Sequence, residues 1–341
     1  MLFRSAAYGI GWNIQHKRIS GKDRTKKRLS PVSAGLICAV AVLIIGNLGT
    51  IVMLLNGLKQ IAINAGVSSG SGLFSTIVLW VRGLIEMVKG AKFTYYPGDW
   101  YWIPSRTIPG EAITEFPYFT FLYADPHAHL FAYPMTLMTI GFFLAVLLQD
   151  EIKQAQEDWK WIFTLLGVSL MVGALAATNT WDYPMQLLLG LIAIAYEHFH
   201  RRRYYKKVLP DMSEKMRIGF SFILSAGIFI LCSYLFFYPY HSNYAAGYTS
   251  LHAWEGTHTP ISSFLVHWGI FLFFIVSWLI IKTRDWLAAT PITFLNKIKP
   301  YRSLMLTGAV LVFVMMVWLL TRGVSIAIIL IPLMIWVGLL L

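Results

Sequence analysis

Cysteine and charge are both scarce in this chain of 341 residues. Its two cysteines, Cys38 and Cys232, lie in apolar stretches, so the sequence predicts neither a disulfide framework nor a cysteine-based metal site. Charged residues make up 13% of the chain and hydrophobic residues 57%, with a mean hydropathy of +0.61. Soluble domains carry about 25% charged residues. The sequence therefore predicts an all-α, polytopic transmembrane helix bundle, whose first partner is the lipid bilayer.

The sequence also shows no cleavable signal peptide, no internal repeat and no low-complexity tract. Residues 1–33 are basic and polar, and the first long apolar run starts near Ala34. At the other end, residues 336–341 belong to an apolar run with no polar tail. We expect a basic cytoplasmic segment over 1–33 and a single transmembrane domain over 34–341, truncated at both ends.

Apolar runs that approach the length of about 20 residues needed for a spanning helix predict about eight spans. They lie near 34–57, 130–149, 161–177, 184–199, 217–238, 261–282, 303–320 and 324–341. The stretch 72–90 differs, because Arg82, Glu86 and Lys89 interrupt its apolar helical pattern. It predicts an amphipathic helix that lies in the membrane interface, with a ninth span as the alternative.

The basic residues are distributed unevenly, although the net charge is +12. Of the 28 lysines and arginines, 22 lie in 1–33, 150–160, 200–217 and 282–303, and six lie in the alternate loops. The positive-inside rule therefore places the N-terminus in the cytoplasm and the loops 58–129, 178–183 and 239–260 outside. A ninth span would break this alternation. The basic residues are topology signals, and no nucleic-acid partner is expected.

The predicted outer loops collect imidazoles and carboxylates, including six of the nine histidines. Three apolar helices begin there, after Asp125-Pro126, Asp182-Tyr183-Pro184 and Thr259-Pro260. Asp and Thr are favoured N-caps, and Pro is favoured in the first turn. Three helix N-termini at one level would attract an anionic headgroup. The alternative is that each motif only starts its helix.

Asp125, His127 and His129 alternate along the chain, so in an extended segment they share one face. They predict a divalent-metal site, with Glu115 or Glu255 as a further oxygen ligand. The alternative is that they are hydrogen-bonded residues at the membrane boundary. Glu115 lies between apolar neighbours, and a partly desolvated carboxylate there suits a general base.

The loop from Tyr95 to Tyr123 is rich in aromatic residues, among them Trp102. These rings predict either an interfacial aromatic belt or a groove in which a sugar or lipid stacks. Arg106 is one of the six basic residues on this side. Its forked guanidinium suits contact with a phosphate, and a salt bridge to Glu111 or Glu115 is the alternative.

Several of these segments occur in an order that resembles the Chlor_Arch_YYY family of uncharacterised bacterial and archaeal membrane proteins. They are Gly46-Asn47-Leu48, Pro104–Pro109, Ile113–Asp125 with His127 and His129, Ala177–Pro184, and the loop with Trp254, Thr259 and Pro260. The family's Tyr-Tyr-Tyr motif and early acidic loop have no counterpart in this sequence, and the proline between Asp125 and His127 is displaced relative to the family pattern.

That family is similar in architecture to the GT-C glycosyltransferases, which use polyprenyl-phosphate sugars at the outer membrane face. The resemblance implies a plasma-membrane enzyme of a bacterium or archaeon. It implies catalytic roles for Asp125, Glu115 and Asp182. Substrate contacts are implied for residues in the matching segments, namely Trp102, Arg106, His127, Asn179, Trp181, Trp254 and Glu255.

Three function classes remain open at this point. The first is a glycosyltransferase that uses a polyprenyl-phosphate sugar, with a divalent metal as an optional cofactor. The second is a transporter or flippase, although the sequence shows neither charges at mid-depth in its spans nor evident Gly/Pro-broken helices. The third is a non-catalytic membrane scaffold. The protein partners stay open in all three cases.

Overall fold

The computed structural model of the chain describes residues 2–20, 29–68, 70–110, 112–124, 126–148, 158–201, 204–205, 211–244 and 254–340. Within these residues the regular structure is helical and contains no strand, which confirms the all-α prediction.

The helices follow one another along the chain as α1 (Leu2–Ser20), α2 (Pro31–Ile44), α3 (Gly49–Asn64), α4 (Leu73–Val88), α5 (Asp99–Trp102), α6 (Pro117–Tyr123), α7 (Ala128–Leu148), α8 (Asp158–Thr178), α9 (Asp182–Ala195), α10 (Glu214–Leu235), α11 (Tyr238–Asn243), α12 (Ile261–Ala289), α13 (Phe294–Ile298), α14 (Arg302–Thr321) and α15 (Ala327–Leu340). Short 3₁₀ segments occur at Ile103–Ser105 and Lys299–Tyr301, and a π-helical turn at Tyr196–His200 continues α9.

Five stretches among the described residues are long and apolar enough to cross a membrane: α7, Trp159–Thr178 in α8, α10, α12 and Asn296–Thr321. The number rises to six if α2 and α3 form one span. The helical membrane bundle is thus confirmed, but eight spans are not. The predicted span at 324–341 corresponds to α15, whose 14 residues are short of the bilayer thickness. The predicted span at 184–199 corresponds to α9 and the π-helical turn that continues it, which are not among the five stretches.

The predicted first span, 34–57, is interrupted. Helix α2 ends at Ile44 and α3 begins at Gly49, so the residues between them are not helical. The hydropathy pattern predicted no broken helix here, because Gly46 and Asn47 lie inside a continuous apolar run. Hydropathy averages over such a pair, whereas helix continuity depends on whether the freed backbone groups find other partners.

The chain forms two compact units, the first of 1–45 and 120–251, the second of 46–119 and 252–341. In unit 1, α1 and α2 form a tight hairpin: a Cβ on Gly11 would come within 2.6 Å of the Cβ of Cys38. The core lies between α7, α8, α9 and α10, around Val172 and Phe229, which are fully buried.

In unit 2, α3 and α4 pack closely, because a Cβ on Gly83 would meet the carbonyl oxygen of Leu58 at 2.0 Å. Helix α4 buries Leu79 and Gly83 in this contact and leaves most of its apolar side chains exposed, while its charged residues follow a different arc. The amphipathic character predicted for 72–90 is confirmed, and its place in the membrane interface stays a prediction.

Candidate functional site

The helix interruption at 45–48 anchors a folded loop in unit 2. The Oδ1 atom of Asn47 accepts a hydrogen bond at 2.8 Å from the N–H of Gly49, the first residue of α3, and so satisfies one N–H that has no partner within the helix. Its Nδ2 donates to the carbonyl of Pro104 at 2.6 Å and to that of Thr114 at 3.4 Å. The N–H of Leu48 donates to the carbonyl of Val266 at 2.7 Å. The interruption is therefore a fixed structure whose polar groups have partners within unit 2.

The loop between Pro104 and Thr114 is closed on itself by further hydrogen bonds. Thr114, which is buried, donates its N–H to the carbonyl of Ser105 at 2.8 Å. Its Oγ1 accepts hydrogen bonds from the N–H and the hydroxyl of Thr107, both at 3.1 Å. Polar groups that are satisfied in this way restrict a loop to one conformation.

Arg106 is presented by this loop. Its Cζ lies 4.1 Å from the centre of the Trp102 ring, a cation–π distance. Its Nη1 donates to the carbonyl and the hydroxyl of Ser105, at 3.0 and 2.7 Å. Among the residues that the structure describes, all side-chain hydrogen bonds of Arg106 leave from Nη1, and Glu115 is not one of its partners. Glu111, the other predicted salt-bridge partner, lies outside the described residues.

The aromatic loop is partly an internal cluster of unit 2. The rings of Phe93, Tyr95 and Trp100 lie 5.8 to 6.2 Å apart, and the hydroxyl of Tyr95 donates to the carbonyl of Met53 at 2.6 Å. Burial raises the pKa of the Tyr95 hydroxyl, and the Asp99 carboxylate raises it further. Trp102 instead is half exposed beside Arg106. Part of the aromatic set is thus structural, and Trp102 faces outward with a cation on it.

The other predicted site residues of unit 2 are less enclosed. Glu115 is half-buried, and Glu255 and Trp254 are exposed. The indole Nε1 of Trp254 donates to the carbonyl of Thr257 at 3.2 Å, which holds a tight turn ahead of α12. The catalytic role of Glu115 and the substrate contacts of Trp254 and Glu255 stay predictions.

In unit 1 the two predicted metal-binding histidines are neighbours. The ring centroids of His127 and His129 lie 5.4 Å apart, with the rings nearly perpendicular, so both can offer a nitrogen to one ion. Asp125, the third predicted ligand, lies outside the described residues. Helix α7 begins at Ala128, two residues later than the start predicted at Pro126. The carbonyl of His127 accepts the N–H of Leu130 at 3.0 Å.

The Asn-Thr-Trp-Asp segment forms the turn between α8 and α9. The Nδ2 of Asn179 donates to the Asp182 carboxylate at 3.0 Å, and the N–H of Asp182 donates to the carbonyl of Asn179 at 3.0 Å. Asp182 is the first residue of α9 and not the N-cap predicted for it, since that position is held by Trp181. Its charge still suits a helix N-terminus. Trp181 is largely exposed. Asn179 thus positions Asp182, and the substrate roles of this segment stay predictions.

The convergence of Glu115, Asp125, His129, Asp182 and Glu255 on one cavity stays a prediction. Asp125 is outside the described residues, and the other four are divided between the two units, each of which is described by itself.

A buried polar network in unit 1 was not predicted from the sequence. The Oγ of Ser225 is contacted by the indole Nε1 of Trp161 at 3.0 Å, by Nε2 of His198 at 2.9 Å and by the hydroxyl of Tyr205 at 3.0 Å. All four residues are buried. They come from four segments with no common motif, so only the tertiary contacts reveal them. The signal available in the sequence was a histidine inside an apolar stretch.

The same end of the unit contains an enclosed ion pair. Nη1 of Arg201 lies 3.2 Å from the Glu197 carboxylate, and the side chains are 9% and 0% exposed. Arg201 also donates to the carbonyl of Val146, at 3.1 Å, and to that of Leu147. These are among the last carbonyls of α7, which have no partner within their own helix. The pair therefore closes α7 and holds the π-helical turn against it.

Comparison with known proteins returns one family. A family model described as an uncharacterized membrane protein (DUF2298) matches residues 2–341. No curated protein and no solved structure matches the chain.

Proposed function

The chain belongs to the DUF2298 family of uncharacterized membrane proteins, and we propose that it is a GT-C-like glycosyltransferase that takes sugar from a polyprenyl phosphate at the outer membrane face. The observation that carries the proposal is Arg106, whose guanidinium lies over the Trp102 ring in a loop that is hydrogen-bonded to a helix interruption. The order of motifs resembles the Chlor_Arch_YYY family, whose architecture is similar to that of GT-C enzymes, and agrees with the proposal, although a shared fold alone does not establish an activity.

The arrangement of Arg106 suits a lipid phosphate. Stacking on the Trp102 indole and the two hydrogen bonds to Ser105 restrict the side chain, so little rotamer entropy is lost when an anion binds. The remaining guanidinium N–H groups keep the planar fork that matches two phosphate oxygens. The half-exposed Trp102 ring offers an apolar surface beside the charge.

The chemistry that we propose is a displacement at the anomeric carbon of the donor sugar. A carboxylate takes the proton of the acceptor hydroxyl, the new glycosidic bond forms, and the bond from carbon to phosphate oxygen breaks. Arg106 stabilises the negative charge that develops on the departing polyprenyl phosphate. Asp125, Glu115 and Asp182 are the proposed carboxylates. In the alternative role, Asp125 would bind a divalent metal together with His127 and His129.

The test compares Arg106→Ala and Arg106→Lys with Arg322→Ala in the purified protein in nanodiscs. Arg322 is a matched control, because it is exposed in unit 2 and its Cζ lies 5.7 Å from the centre of the Trp318 ring. Hydrogen bonds to charged groups contribute about 1.5–3 kcal/mol. We expect polyprenyl-phosphate binding to weaken roughly 10- to 150-fold in both Arg106 variants, since lysine lacks the fork.

Transfer of radiolabelled sugar from the polyprenyl-phosphate donor should fall in parallel, while Arg322→Ala behaves as the unmodified protein. Equal effects of the Arg106 and Arg322 variants would show that Arg106 supplies only nonspecific surface charge.

The interrupted helix favours a second candidate, a transporter or flippase. Non-helical backbone at membrane depth lines substrate paths in many carriers, and the residues between Ile44 and Gly49 have this character. Proteoliposomes decide between the two candidates: movement of a labelled polyprenyl-phosphate sugar between leaflets, without sugar transfer, supports the carrier.

A further inference from the structure

Three helices of unit 1 meet along buried stripes whose register is set by one glycine. A Cβ on Gly190 of α9 would meet the ring of Phe229 in α10 at 2.5 Å and the ring of Phe143 in α7 at 3.0 Å. The stripe through Gly190 therefore faces both neighbouring helices, and Phe143 and Phe229 lie at its level. Residues three, four or seven positions away along each helix share these faces.

On the helix faces that contain Phe143 and Gly190, polar side chains lie nearer the first residues of α7 and α9. Thr139 and Thr136 lie four and seven residues before the phenylalanine of α7, and Gln186 and Tyr183 precede the glycine of α9 by the same intervals. On α10, Ser233 contacts the Tyr183 hydroxyl at 3.1 Å through its Oγ. We call these five residues, with His241, the outer polar layer.

His241 belongs to the layer through its ring contacts. Its centroid lies 6.3 Å from that of Tyr183, and it stacks on Tyr234 of α10 at 4.5 Å. The layer is thus built by α7, α9, α10 and α11, all within unit 1. It lies next to the turn that carries Asn179 and Asp182, because Tyr183 follows that turn directly.

The hydrogen-bonding groups of this layer are unevenly satisfied. In the described part of the chain, five buried side-chain atoms have no hydrogen-bond partner, and three of them are here: Thr136 Oγ1, Gln186 Oε1 and His241 Nε2. Gln186 is only 4% exposed, and its stripe aims it at α7 and α10. A buried polar atom without a partner is costly and needs an explanation.

The inner end of the same bundle provides the comparison. There the Ser225 hydroxyl has three partners, and none of the five unpartnered atoms belongs to the network that Ser225 forms with Trp161, His198 and Tyr205. The two polar layers are separated by the level of Phe143 and Phe229. Among the described residues, the Ser225 network is satisfied within the protein, whereas three groups of the outer polar layer have no partner.

We infer that the outer polar layer is a carbohydrate-binding site that receives hydroxyl groups of a sugar. An amide oxygen, a hydroxyl and an imidazole nitrogen match hydroxyls, which both donate and accept. None of the layer residues is lysine or arginine, so the layer is not suited to a phosphate. The rings of Tyr183, Tyr234 and His241 add flat surfaces of the kind on which sugars stack. The inference rests on the proposed function and names the class of ligand that this site of unit 1 would hold, a carbohydrate.

The experiment uses Thr136→Val and Gln186→Met, two changes that preserve volume and remove hydrogen-bonding groups. Thr164→Val is the matched control, because Thr164 of α8 lies outside the layer and its hydroxyl already donates to the carbonyl of Lys160 at 2.9 Å within its own helix. Three probes are titrated onto the full chain in nanodiscs: a polyprenyl-phosphate sugar, the same polyprenyl phosphate without sugar, and a short alkyl glycoside with the same sugar and no phosphate.

We expect Thr136→Val and Gln186→Met each to weaken binding of the two sugar-bearing probes roughly three- to tenfold, the effect of one hydrogen bond. Binding of the sugar-free polyprenyl phosphate should not change. Thr164→Val should bind all three probes like the unmodified protein, and Thr136→Ser, which keeps a hydroxyl, should restore affinity.

The inference is overturned if Thr136→Val and Gln186→Met raise thermal stability and leave the affinity for both sugar-bearing probes unchanged, because the layer then holds only water. It is also overturned if the unmodified protein binds the polyprenyl-phosphate sugar no more tightly than the sugar-free polyprenyl phosphate. Failure of the proposed function looks different: the Arg106 variants then bind sugar-free polyprenyl phosphate normally, whatever the glycoside does.

Discussion

Removing Arg201 should destabilise unit 1 far more than removing an equally short ion pair on its surface. In Arg201→Met the Glu197 carboxylate, which is 0% exposed, loses the guanidinium that lies 3.2 Å from it. The carbonyls of Val146 and Leu147 also lose a donor. Breaking a buried pair by removing one partner costs about 3–5 kcal/mol, and each carbonyl left unsatisfied adds to that cost.

Helix α4 offers the matched control. Lys89 Nζ lies 2.9 Å from the Glu86 carboxylate, but the lysine side chain is 59% exposed. Lys89→Met should therefore cost about 0–1 kcal/mol. The two pairs have similar N–O distances and similar spacing in sequence, so the comparison isolates burial.

The assay is the free energy of unfolding in mixed micelles, measured for Arg201→Met, Glu197→Gln and the double variant. We expect the double variant to be more stable than the sum of the single effects predicts by about 2 kcal/mol or more, because it replaces both members of the buried pair by neutral side chains. A loss below about 1 kcal/mol in Arg201→Met, equal to that of Lys89→Met, would refute the view that this ion pair closes α7.

Four further outcomes are expected. A cysteine at position 71 in place of Ser71 should react with an impermeant thiol reagent in intact cells, and one in place of Ser213 should not, because the positive-inside rule predicts that the positive loops are cytoplasmic. Asp125→Asn should fold normally and lose about 10²- to 10⁴-fold in sugar transfer, since the general base or metal ligand is gone. Asn47→Ala should lower the free energy of unfolding by roughly 2–4 kcal/mol, because the N–H of Gly49 loses its acceptor and the carbonyls of Pro104 and Thr114 lose a donor. The pKa of Tyr95 is raised in the folded state, so the contribution of Tyr95 to stability is present below the ordinary tyrosine pKa of about 10 and is lost as the pH rises through the folded-state pKa. Above about pH 10, the free energy of unfolding should therefore decline more steeply in the unmodified protein than in Tyr95→Phe.

Each of these measurements has a control and a contrary result. Labelling needs a background without Cys38 and Cys232, and reaction at position 213 alone would invert the topology. Normal transfer by Asp125→Asn removes its catalytic role. Asn64→Ala, at an exposed position of α3, should lower the free energy of unfolding by less than about 0.5 kcal/mol. An equally small loss in Asn47→Ala would mean that the hydrogen bonds of Asn47 to the loop do not stabilise the fold. Parallel pH profiles would show that Tyr95 does not titrate differently in the folded state.

The class of the protein and the character of its elements followed from the sequence alone. Apolar length and scarce charge predicted a helical membrane protein, and the helices α7, α8, α10 and α12 lie where hydropathy placed spans. The amphipathic pattern of 72–90 was equally readable, because the residue types that a helix presents on each arc depend only on its own period. The sequence also located the start of α9 near Asp182, although Asp182 is its first helical residue and not its N-cap.

The tertiary structure decided where polar groups find partners. Whether 34–57 is one helix depended on Pro104, Thr114 and Val266, which supply hydrogen bonds to residues 47 and 48 from distant parts of the chain. The Ser225 network joins Trp161 to a residue 64 positions away. No local pattern encodes such pairs, because periodicity identifies a buried face but not the helix opposite it. Gly190 shows the limit most clearly: the sequence marks it only as a glycine in a helix, and packing makes it the position that sets the level of the outer polar layer.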